Sequence, residues 1–303
     1  MAEPGSQSTR SEPLAEPGAR PGDPGNRVDA LLRHAANVLA GLPDGAPRLE
    51  AELLLSEASG RSRTGLIAWP EHRVEPEVRE VFTALLARRL AGEPIAYIRG
   101  RKSFWSLELR VTRATLIPRP ETELLVEVTL EHLGVSEPLR VADLGTGSGA
   151  IAAALATERP NWHMVATERS AAAIQIAAEN LRSLGLERVA LVRAHWLDAC
   201  APASLDAVVS NTPYVAEDDP HLMSGDLRFE PREALTPGGD GLDAYRSIVT
   251  GARRCLRPGG WVILEHGYDQ GAEVRRILTE AGLRAPQTRP DLAGNDRVTL
   301  ARG

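Results

Sequence analysis

The sequence predicts an α/β fold in which a small helical domain precedes a mostly parallel sheet with helices on both faces. Three observations support this fold. Apolar residues recur at helical spacing between residues 28 and 90, and they alternate at strand spacing between residues 103 and 111. From about residue 124 onward, short apolar runs are separated by helical stretches. Because ligands of such sheets bind at the carboxyl ends of the strands, functional residues are expected just after each run.

The first 26 residues are mostly Pro, Gly, Ala, Ser and Glu, and Leu14 is the only large aliphatic residue after Met1. Such a segment buries too little apolar surface to offset the entropy lost on ordering, so we expect a disordered tail over residues 1–26. Four acidic residues are spread through it, at positions 3, 12, 16 and 23. A mitochondrial presequence is poor in acidic residues, so the tail does not match one.

Residues 27–92 are predicted to form a helical domain without obvious chemistry, which serves either packing or the recognition of a partner. A first helix begins at Val28, a second contains Leu49 and Leu53, and a third begins at Pro76 and stops before Gly92. The expected apolar faces of the first and third helices comprise Val28, Leu31, Leu32, Ala35, Val38 and Leu39, and Val78, Val81, Phe82, Leu85 and Leu86.

Residues 93–123 are predicted to link this domain to the sheet through a hairpin, with residues 103–111 as one strand of it. The domain that follows spans residues 124–303. Its predicted strands are 140–144, 163–167, 189–193, 206–210 and 261–265, and its predicted helices are 151–157, 171–184 and 241–255.

Composition excludes several classes of protein. The formal net charge is −6, so the surface as a whole does not suit the binding of nucleic-acid phosphates. Cys200 and Cys255 are too few for a disulfide scaffold and lack zinc-ligand neighbours, so we expect no metal site and a reducing, cytoplasmic location. No run of about 18 apolar residues predicts a membrane helix.

A glycine-rich turn follows the first sheet strand and comprises Gly145, Thr146, Gly147, Ser148 and Gly149. Glycines let the backbone turn tightly and approach a ligand at the amino terminus of the next helix. Glu168 ends the second strand, where a carboxylate accepts hydrogen bonds from ribose hydroxyls. These residues suit either an adenosyl cofactor or a nicotinamide cofactor, because the spacing also satisfies the dehydrogenase fingerprint.

Two further sets of candidates follow the later strands. Trp196 follows the third strand and is a candidate for the adenine pocket, although a core tryptophan is an alternative. Asn211, Thr212, Pro213 and Tyr214 follow the fourth strand and resemble the Asn-Pro-Pro-Tyr signature of methyltransferases that act on planar nitrogens. The Asn211 side-chain oxygen and the Thr212 carbonyl are candidates to accept one hydrogen bond each from the two N–H groups of a substrate amide. Tyr214 is a candidate to stack on that planar amide.

Together these residues make the chain similar to the PrmC/HemK family, the protein-(glutamine-N5) methyltransferases of peptide-chain release factors. The similarity covers residues 28–303. Besides the turn at Asn211 and the glycine loop, it includes the segments 92–98, 117–123, 226–231, 239–242, 264–267 and 295–298. Segments 117–123 and 226–231 are the most specific, since methyltransferases in general do not share them.

The resemblance implies a Rossmann-like class I methyltransferase domain with a mostly parallel seven-stranded sheet. It also implies transfer of a methyl group from S-adenosylmethionine to the glutamine side chain in the Gly-Gly-Gln loop of class 1 release factors. By position, Gly145 to Gly149 hold the methionine end of the cofactor, Glu168 the ribose and Trp196 the adenine. The turn from Asn211 to Tyr214 binds the glutamine, with Asn211 also touching the cofactor. The helical domain docks the release factor, and a monomer is expected.

The sequence departs from the family pattern at three positions. Thr212 stands where the family has proline, Glu168 where aspartate is commoner, and His195 where an acid or amide often faces the adenine. Thr212 keeps the carbonyl but adds a backbone N–H and loses the fixed φ of proline. Slower methyl transfer than with proline is therefore expected.

Three other functions stay open on the residues alone. An N-methyltransferase of an exocyclic base amine in RNA or DNA uses a related signature, but the acidic net charge and only three Phe argue against it. A release-factor-binding module that has lost transfer through Thr212 is a second alternative. An oxidoreductase with a nicotinamide cofactor is the third.

Overall fold

The computed structural model describes residues 25–42 and 45–303, which form two compact units that divide between Leu90 and Ala91. Apart from Gly25 and Asn26, the predicted tail lies outside the described residues. No helix in the described part of the chain is long and apolar enough to cross a membrane.

The described residues of the first unit are helical. Its helices are α1 (Val28–Leu39), α2 (Pro47–Ser59), α3 (Arg63–Ala68) and α4 (Pro76–Leu90). The predicted face of α1 is buried except for Val38, which is 37% exposed, and α4 buries Phe82 and Leu86 but leaves Val81 exposed. The short helix α3 was not predicted.

The predicted second helix is present as α2, but Leu49, one of the two leucines that indicated it, lies outside the core. Leu49 is 40% exposed, whereas Leu54 and Leu55 are fully buried. Glu50 takes a buried position instead, because its carboxylate accepts two hydrogen bonds from Arg89, at 2.9 Å from Nε and 3.2 Å from Nη2. A buried charge requires such a partner, so this ion pair allows Glu50 to lie on the inward side of the helix.

The second unit, Ala91–Gly303, has an α/β architecture and includes the hairpin as well as the large sheet. Its strands are β1 (Arg101–Phe104), β2 (Leu107–Arg110), β3 (Arg140–Leu144), β4 (His163–Glu168), β5 (Ala190–Arg193), β6 (Leu205–Asn211), β7 (Leu256–Glu265), β8 (Arg284–Pro290) and β9 (Asp296–Arg302). Its helices are α5 (Ile95–Arg99), α6 (Glu123–His132), α7 (Ala150–Glu158), α8 (Ala171–Ser183), α9 (Arg232–Leu235), α10 (Asp243–Cys255) and α11 (Gly271–Glu280). Short 3₁₀ turns cover Pro120–Thr122, Pro220–Met223 and Leu227–Phe229.

Seven strands form one sheet in the order β5-β4-β3-β6-β7-β9-β8. The first five strands of this order are parallel to one another, while β9 runs antiparallel to both β7 and β8. The predicted fold class is therefore confirmed. The strand order reverses between β3 and β6, which is where sheets of this kind bind their ligands.

Apolar side chains cover both faces of the sheet. One cluster joins α6 and α7 to Ala207, Val209 and Ile263, and the other joins α10 and α11 to Ala142 and Val208. Residues alternate along a strand, so Asn211 lies on the same face as Val209, and Glu265 lies on the same face as Ile263.

The turn of the hairpin lies inside the segment that was predicted as a single strand. Residues 103–111 were predicted as one strand, but β1 and β2 divide within this segment, at Trp105 and Ser106. Trp105 adopts a positive φ of 56°, and its backbone N–H donates to Glu123 Oε1 at 2.7 Å. Its indole N–H donates to Glu158 at 2.7 Å, so polar contacts hold the turn where alternation predicted continuous strand.

Candidate active site

A cavity of about 530 Å³ opens at the carboxyl ends of β3, β4 and β6. Gly145 follows β3, Glu168 ends β4 and Asn211 ends β6, and all three line this cavity. The volume falls within the range of small-molecule and cofactor sites. The sheet therefore brings candidates separated by more than sixty residues in sequence to one place.

The glycine loop turns sharply between β3 and α7. Gly145, Gly147 and Gly149 have positive φ values of 66°, 55° and 85°. A Cβ at Gly145 would also lie 3.0 Å from the Trp196 ring, so both backbone conformation and space favour glycine there. The Thr146 N–H donates to the Thr167 carbonyl at 3.0 Å, which ties the loop to β4.

Asp143 holds the base of this loop from inside the protein. Its Oδ2 accepts hydrogen bonds from the Thr146 hydroxyl at 2.5 Å and from the Ala152 N–H at 3.1 Å. Its Oδ1 is buried with no hydrogen-bond partner among the described residues. Burial raises the pKa of Asp143 to about 6, although both hydrogen bonds favour the charged form.

Glu168 binds the loop from the neighbouring strand. Its Oε2 accepts the Gly147 N–H at 3.0 Å, and its Oε1 accepts the Ser170 N–H at 2.8 Å. The two oxygens of a carboxylate have about four acceptor positions, so two remain for ligand hydroxyls. Glu168 therefore supports the loop and lines the cavity at once.

Trp196 is half-buried and packs against the second apolar cluster while it lines the cavity. Its φ is +45°, an uncommon backbone conformation for a bulky residue. The neighbouring His195 is exposed, and the two ring centroids are 5.4 Å apart.

The amide of Asn211 is fixed at one end. Its Nδ2 donates to Thr122 Oγ1 at 3.0 Å, and Thr122 is only 3% exposed. Thr122 directly precedes α6, and its side chain makes no capping hydrogen bond to that helix.

The rest of the turn from Asn211 lies mostly beneath the cavity surface. Pro213 lines the cavity, whereas Thr212 and Tyr214 are not among the lining residues. Thr212 is 2% exposed, and its hydroxyl has no hydrogen-bond partner within residues 25–42 and 45–303. The Tyr214 carbonyl accepts the Gln270 side-chain N–H at 2.9 Å. A Cβ at Gly241 would lie 2.3 Å from that carbonyl oxygen, so glycine is required there.

Glu265 is a buried carboxylate beside Asn211. It ends β7 in register with Asn211, is 1% exposed, and its Oε2 has no hydrogen-bond partner in the part of the chain that the structure describes. Burial raises the pKa of Glu265 to about 7, while hydrogen bonding from Thr122 and the charge of Arg297 act in the opposite direction.

Glu230 connects two loops beside the cavity. Its Oε2 accepts the Ile117 N–H at 2.9 Å, and its Oε1 accepts a hydrogen bond from Arg119. Residues on either side of this contact, Leu116 and Pro231, line the cavity. Segments 117–123 and 226–231, which the sequence singled out without a role, therefore hold each other.

Comparisons with known proteins agree with this geometry. The PrmC N-terminal domain matches residues 30–100, and the Methyltransferase small domain matches residues 121–242. A Xylella fastidiosa protein named release factor glutamine methyltransferase is 49% identical over 88% of this chain and 96% of its own length. A Pseudomonas aeruginosa protein of the same name is 50% identical over 86% of this chain and 94% of its own length. The chain belongs to the release factor glutamine methyltransferase family.

A solved structure supports the fold of this family member. The crystal structure of a methyltransferase from Pyrococcus furiosus aligns with a TM-score of 0.50 at 18% identity, over 73% of this chain and 98% of that one. At this identity the likeness concerns the fold alone.

The residues present fit S-adenosylmethionine, the cofactor of this family. Asp143 places a carboxylate oxygen that has no hydrogen-bond partner among the described residues beneath the glycine loop, and Glu168 keeps acceptor positions at the cavity wall. Acceptors of this kind match a ligand that carries an ammonium group and ribose hydroxyls.

Some of the predicted site residues line the cavity and others lie behind its lining. Those that line the cavity are Gly145, Gly147, Glu168, Trp196, Asn211 and Pro213. Thr146, Ser148 and Gly149 lie behind the lining, where the Thr146 hydroxyl bonds Asp143 and the Ser148 carbonyl accepts the Asn180 side chain at 2.8 Å.

Sequence reasoning missed three polar residues of the site: Asp143, Thr122 and Glu265. Asp143 had a detectable signal, because an acidic residue next to a glycine turn inside an apolar strand is unusual. Thr122 and Glu265 lie in segments 117–123 and 264–267, which carry the family resemblance, but neither was assigned a role because only the fold brings them to Asn211.

Proposed function

We propose that this chain transfers a methyl group from S-adenosylmethionine to the side-chain amide nitrogen of the glutamine in the Gly-Gly-Gln loop of class 1 peptide-chain release factors. The relatives from Xylella fastidiosa and Pseudomonas aeruginosa carry the name of this activity. The observation that carries the proposal is the position of Asn211, at a strand end, in the same cavity as the glycine loop.

The residues that hold the cofactor are assigned from the lining of the cavity. Gly145 and Gly147 give the methionine end a close approach to the backbone, Glu168 accepts the ribose hydroxyls, and Trp196 covers the adenine. When bound, S-adenosylmethionine supplies a methyl group on a positively charged sulfur. The chain therefore needs no nucleophile of its own.

The residues that hold the substrate must overcome the poor nucleophilicity of an amide nitrogen, whose lone pair is delocalised. The Asn211 side-chain oxygen and the Thr212 carbonyl each accept a hydrogen bond from one N–H of the substrate amide. These hydrogen bonds fix the nitrogen in the cavity and orient its lone pair. Pro213 and Tyr214 shape the turn that presents these oxygens. Burial raises the pKa of Tyr214 to about 12, so its hydroxyl stays neutral at physiological pH.

We further propose that residues 27–92 help to dock the release factor, and that the chain acts as a cytoplasmic monomer without direct contact to nucleic acid. The net charge of −6 supports the last point, because a nucleic-acid surface is expected to be basic. Analytical ultracentrifugation of the purified chain tests the oligomeric state.

The activity is tested with S-adenosylmethionine labelled in its methyl group and a class 1 release factor. We expect label on the loop glutamine, located by mass spectrometry, and no label when that glutamine is replaced by alanine. Asn211→Ala should reduce kcat by about 100-fold or more, as does loss of one polar contact to a reacting group. Asn295→Ala is the matched control, since Asn295 is exposed and lies outside the cavity lining. Label on RNA or DNA, with none on the release factor, would refute the proposal.

A further inference from the structure

The side-chain amide of Asn211 has two unlike ends, and the proposed reaction needs one of them. Its oxygen accepts an N–H from the substrate amide, whereas its NH₂ group would face another donor. Since the two ends of an amide have nearly the same shape, rotation by 180° exchanges them at little steric cost. Something in the protein must therefore set the orientation.

Thr122 holds the nitrogen end. Asn211 Nδ2 donates to Thr122 Oγ1 at 3.0 Å, so the oxygen is the end left for the cavity that Asn211 lines. Thr122 is 3% exposed, and water therefore cannot easily replace it. A threonine immediately before a helix normally caps the first turn, but the side chain of Thr122 does not.

Glu265 explains why Thr122 acts as an acceptor for the NH₂ group of Asn211. It lies in register with Asn211 on the adjacent parallel strand, is 1% exposed, and its Oε2 has no hydrogen-bond partner among the described residues. The Thr122 side chain favours the charged form of this carboxylate. A threonine hydroxyl has a single hydrogen, and the Glu265 carboxyl keeps an acceptor oxygen for it in either protonation state. When that hydrogen points to Glu265, the lone pairs of Thr122 Oγ1 remain for the NH₂ group of Asn211.

We propose that Thr122 and Glu265 are positioning residues that orient the Asn211 amide, with its NH₂ group on Thr122 and its oxygen toward the substrate. The three side chains form a hydrogen-bonded relay in which Asn211 donates to Thr122 and Thr122 donates to Glu265. This inference rests on the proposed function for its catalytic consequence. The relay itself is a property of the protein without substrate.

Thr122→Val tests the relay, because valine has the shape of threonine but can neither accept nor donate. We expect kcat for release-factor methylation to fall by about 10- to 100-fold, as for other small displacements of reacting groups. KM for the release factor and the dissociation constant of S-adenosylmethionine should stay within about twofold, since the cavity keeps its shape. Thr122→Ser keeps the hydroxyl and should retain kcat close to that of the original chain.

A double-mutant cycle separates positioning from a general structural role. If Thr122 acts through Asn211, Thr122→Val should cause no further loss of kcat in the Asn211→Ala background. An equal loss in both backgrounds, or an unchanged kcat in Thr122→Val alone, would overturn the proposal. Calorimetric binding of S-adenosylmethionine shows that each variant is folded.

Glu265→Met provides the second variant, since methionine fills the space without an oxygen. We expect a loss of kcat in the same range as for Thr122→Val. Glu265→Gln can still accept from Thr122 through its carbonyl oxygen and should lose less. A Glu265→Met variant that is folded and keeps its kcat would remove Glu265 from the relay.

Hydrogen exchange of the Asn211 side-chain NH₂ group, followed by ¹H–¹⁵N NMR, tests the relay without any substrate. The resonances are assigned by their loss in Asn211→Ala. We expect exchange with water to be about 10-fold faster or more in Thr122→Val and unchanged in Thr122→Ser. Unchanged exchange in Thr122→Val would refute the relay. If the original chain fails to methylate any release factor, the proposed function is refuted, and the exchange rates still decide the relay.

Discussion

Glu168 offers the sharpest test of the cofactor site, through the variant Glu168→Gln. Both oxygens of the carboxylate accept backbone N–H groups, from Gly147 at 3.0 Å and from Ser170 at 2.8 Å. Glutamine supplies only one acceptor of the same size. Its NH₂ group must then face the other N–H, which breaks a hydrogen bond to a charged group.

The expected magnitude follows from the hydrogen bond that is lost. A hydrogen bond to a charged group contributes about 1.5–3 kcal/mol. Because about 1.4 kcal/mol corresponds to a factor of ten, the dissociation constant of S-adenosylmethionine should rise by about 10- to 150-fold if the loop must re-form for binding. The free energy of unfolding without cofactor should fall by a similar amount.

Isothermal titration calorimetry with S-adenosylmethionine measures the affinity, and urea unfolding without cofactor measures the loop contribution. Glu168→Asp is the control, since it keeps the charge and both acceptors on an arm one methylene shorter, and its change in affinity should be smaller. Affinity within about twofold of the original chain for Glu168→Gln, together with unchanged unfolding, would contradict the role of this carboxylate.

Three further predictions concern buried polar groups. Glu230→Ala should lower the free energy of unfolding by about 3 kcal/mol in urea titrations, because it leaves Arg119 and the Ile117 N–H without their buried acceptor, and an unchanged midpoint would contradict this. Asp143 has a folded pKa of about 6, above its unfolded value of 3.8, so its contribution to stability is fully present below pH 3.8 and is lost as pH rises through 6. The loss is about 3 kcal/mol without cofactor, and Asp143→Asn should flatten this part of the stability profile, while an identical profile in both proteins would count against the raised pKa. Thr212→Pro should raise kcat/KM for the release factor by about two- to fivefold, since it restricts the turn and removes a buried hydroxyl that has no hydrogen-bond partner in the described part of the chain. An equal or lower value would refute this.

Much of the sheet could be predicted because its signals are local. The apolar runs predicted as the strands 140–144, 163–167 and 206–210 are each followed directly by a residue that lines the cavity, and the glycines between β3 and α7 indicate a tight turn from sequence alone. Parallel strands bring their carboxyl ends to one edge, so the neighbourhood of Gly145, Glu168 and Asn211 followed from connectivity.

The errors have a common physical cause, which is a polar group satisfied by a distant partner. Glu50 is buried in α2 because Arg89 pairs with it, a contact that the leucine spacing of this helix does not indicate. Trp105 turns the chain because Glu123 and Glu158 accept its N–H groups. Hydrophobic periodicity considers each side chain by its own polarity and does not include distant partners. It therefore does not predict a carboxylate that is buried in an ion pair or a tryptophan that lies in a turn.

The segment 117–123 shows how a family-specific motif acts when it does not line the cofactor pocket. Within seven residues it places the Ile117 N–H and Arg119 on Glu230, and it places Thr122 on Asn211. One side of the segment thus anchors the loop that follows the substrate turn, while the other fixes the turn itself. Both contacts join residues more than eighty positions apart, and neither involves the glycine loop. Substitutions in this segment should therefore lower kcat while leaving the affinity for S-adenosylmethionine unchanged, a pattern opposite to that expected for Glu168.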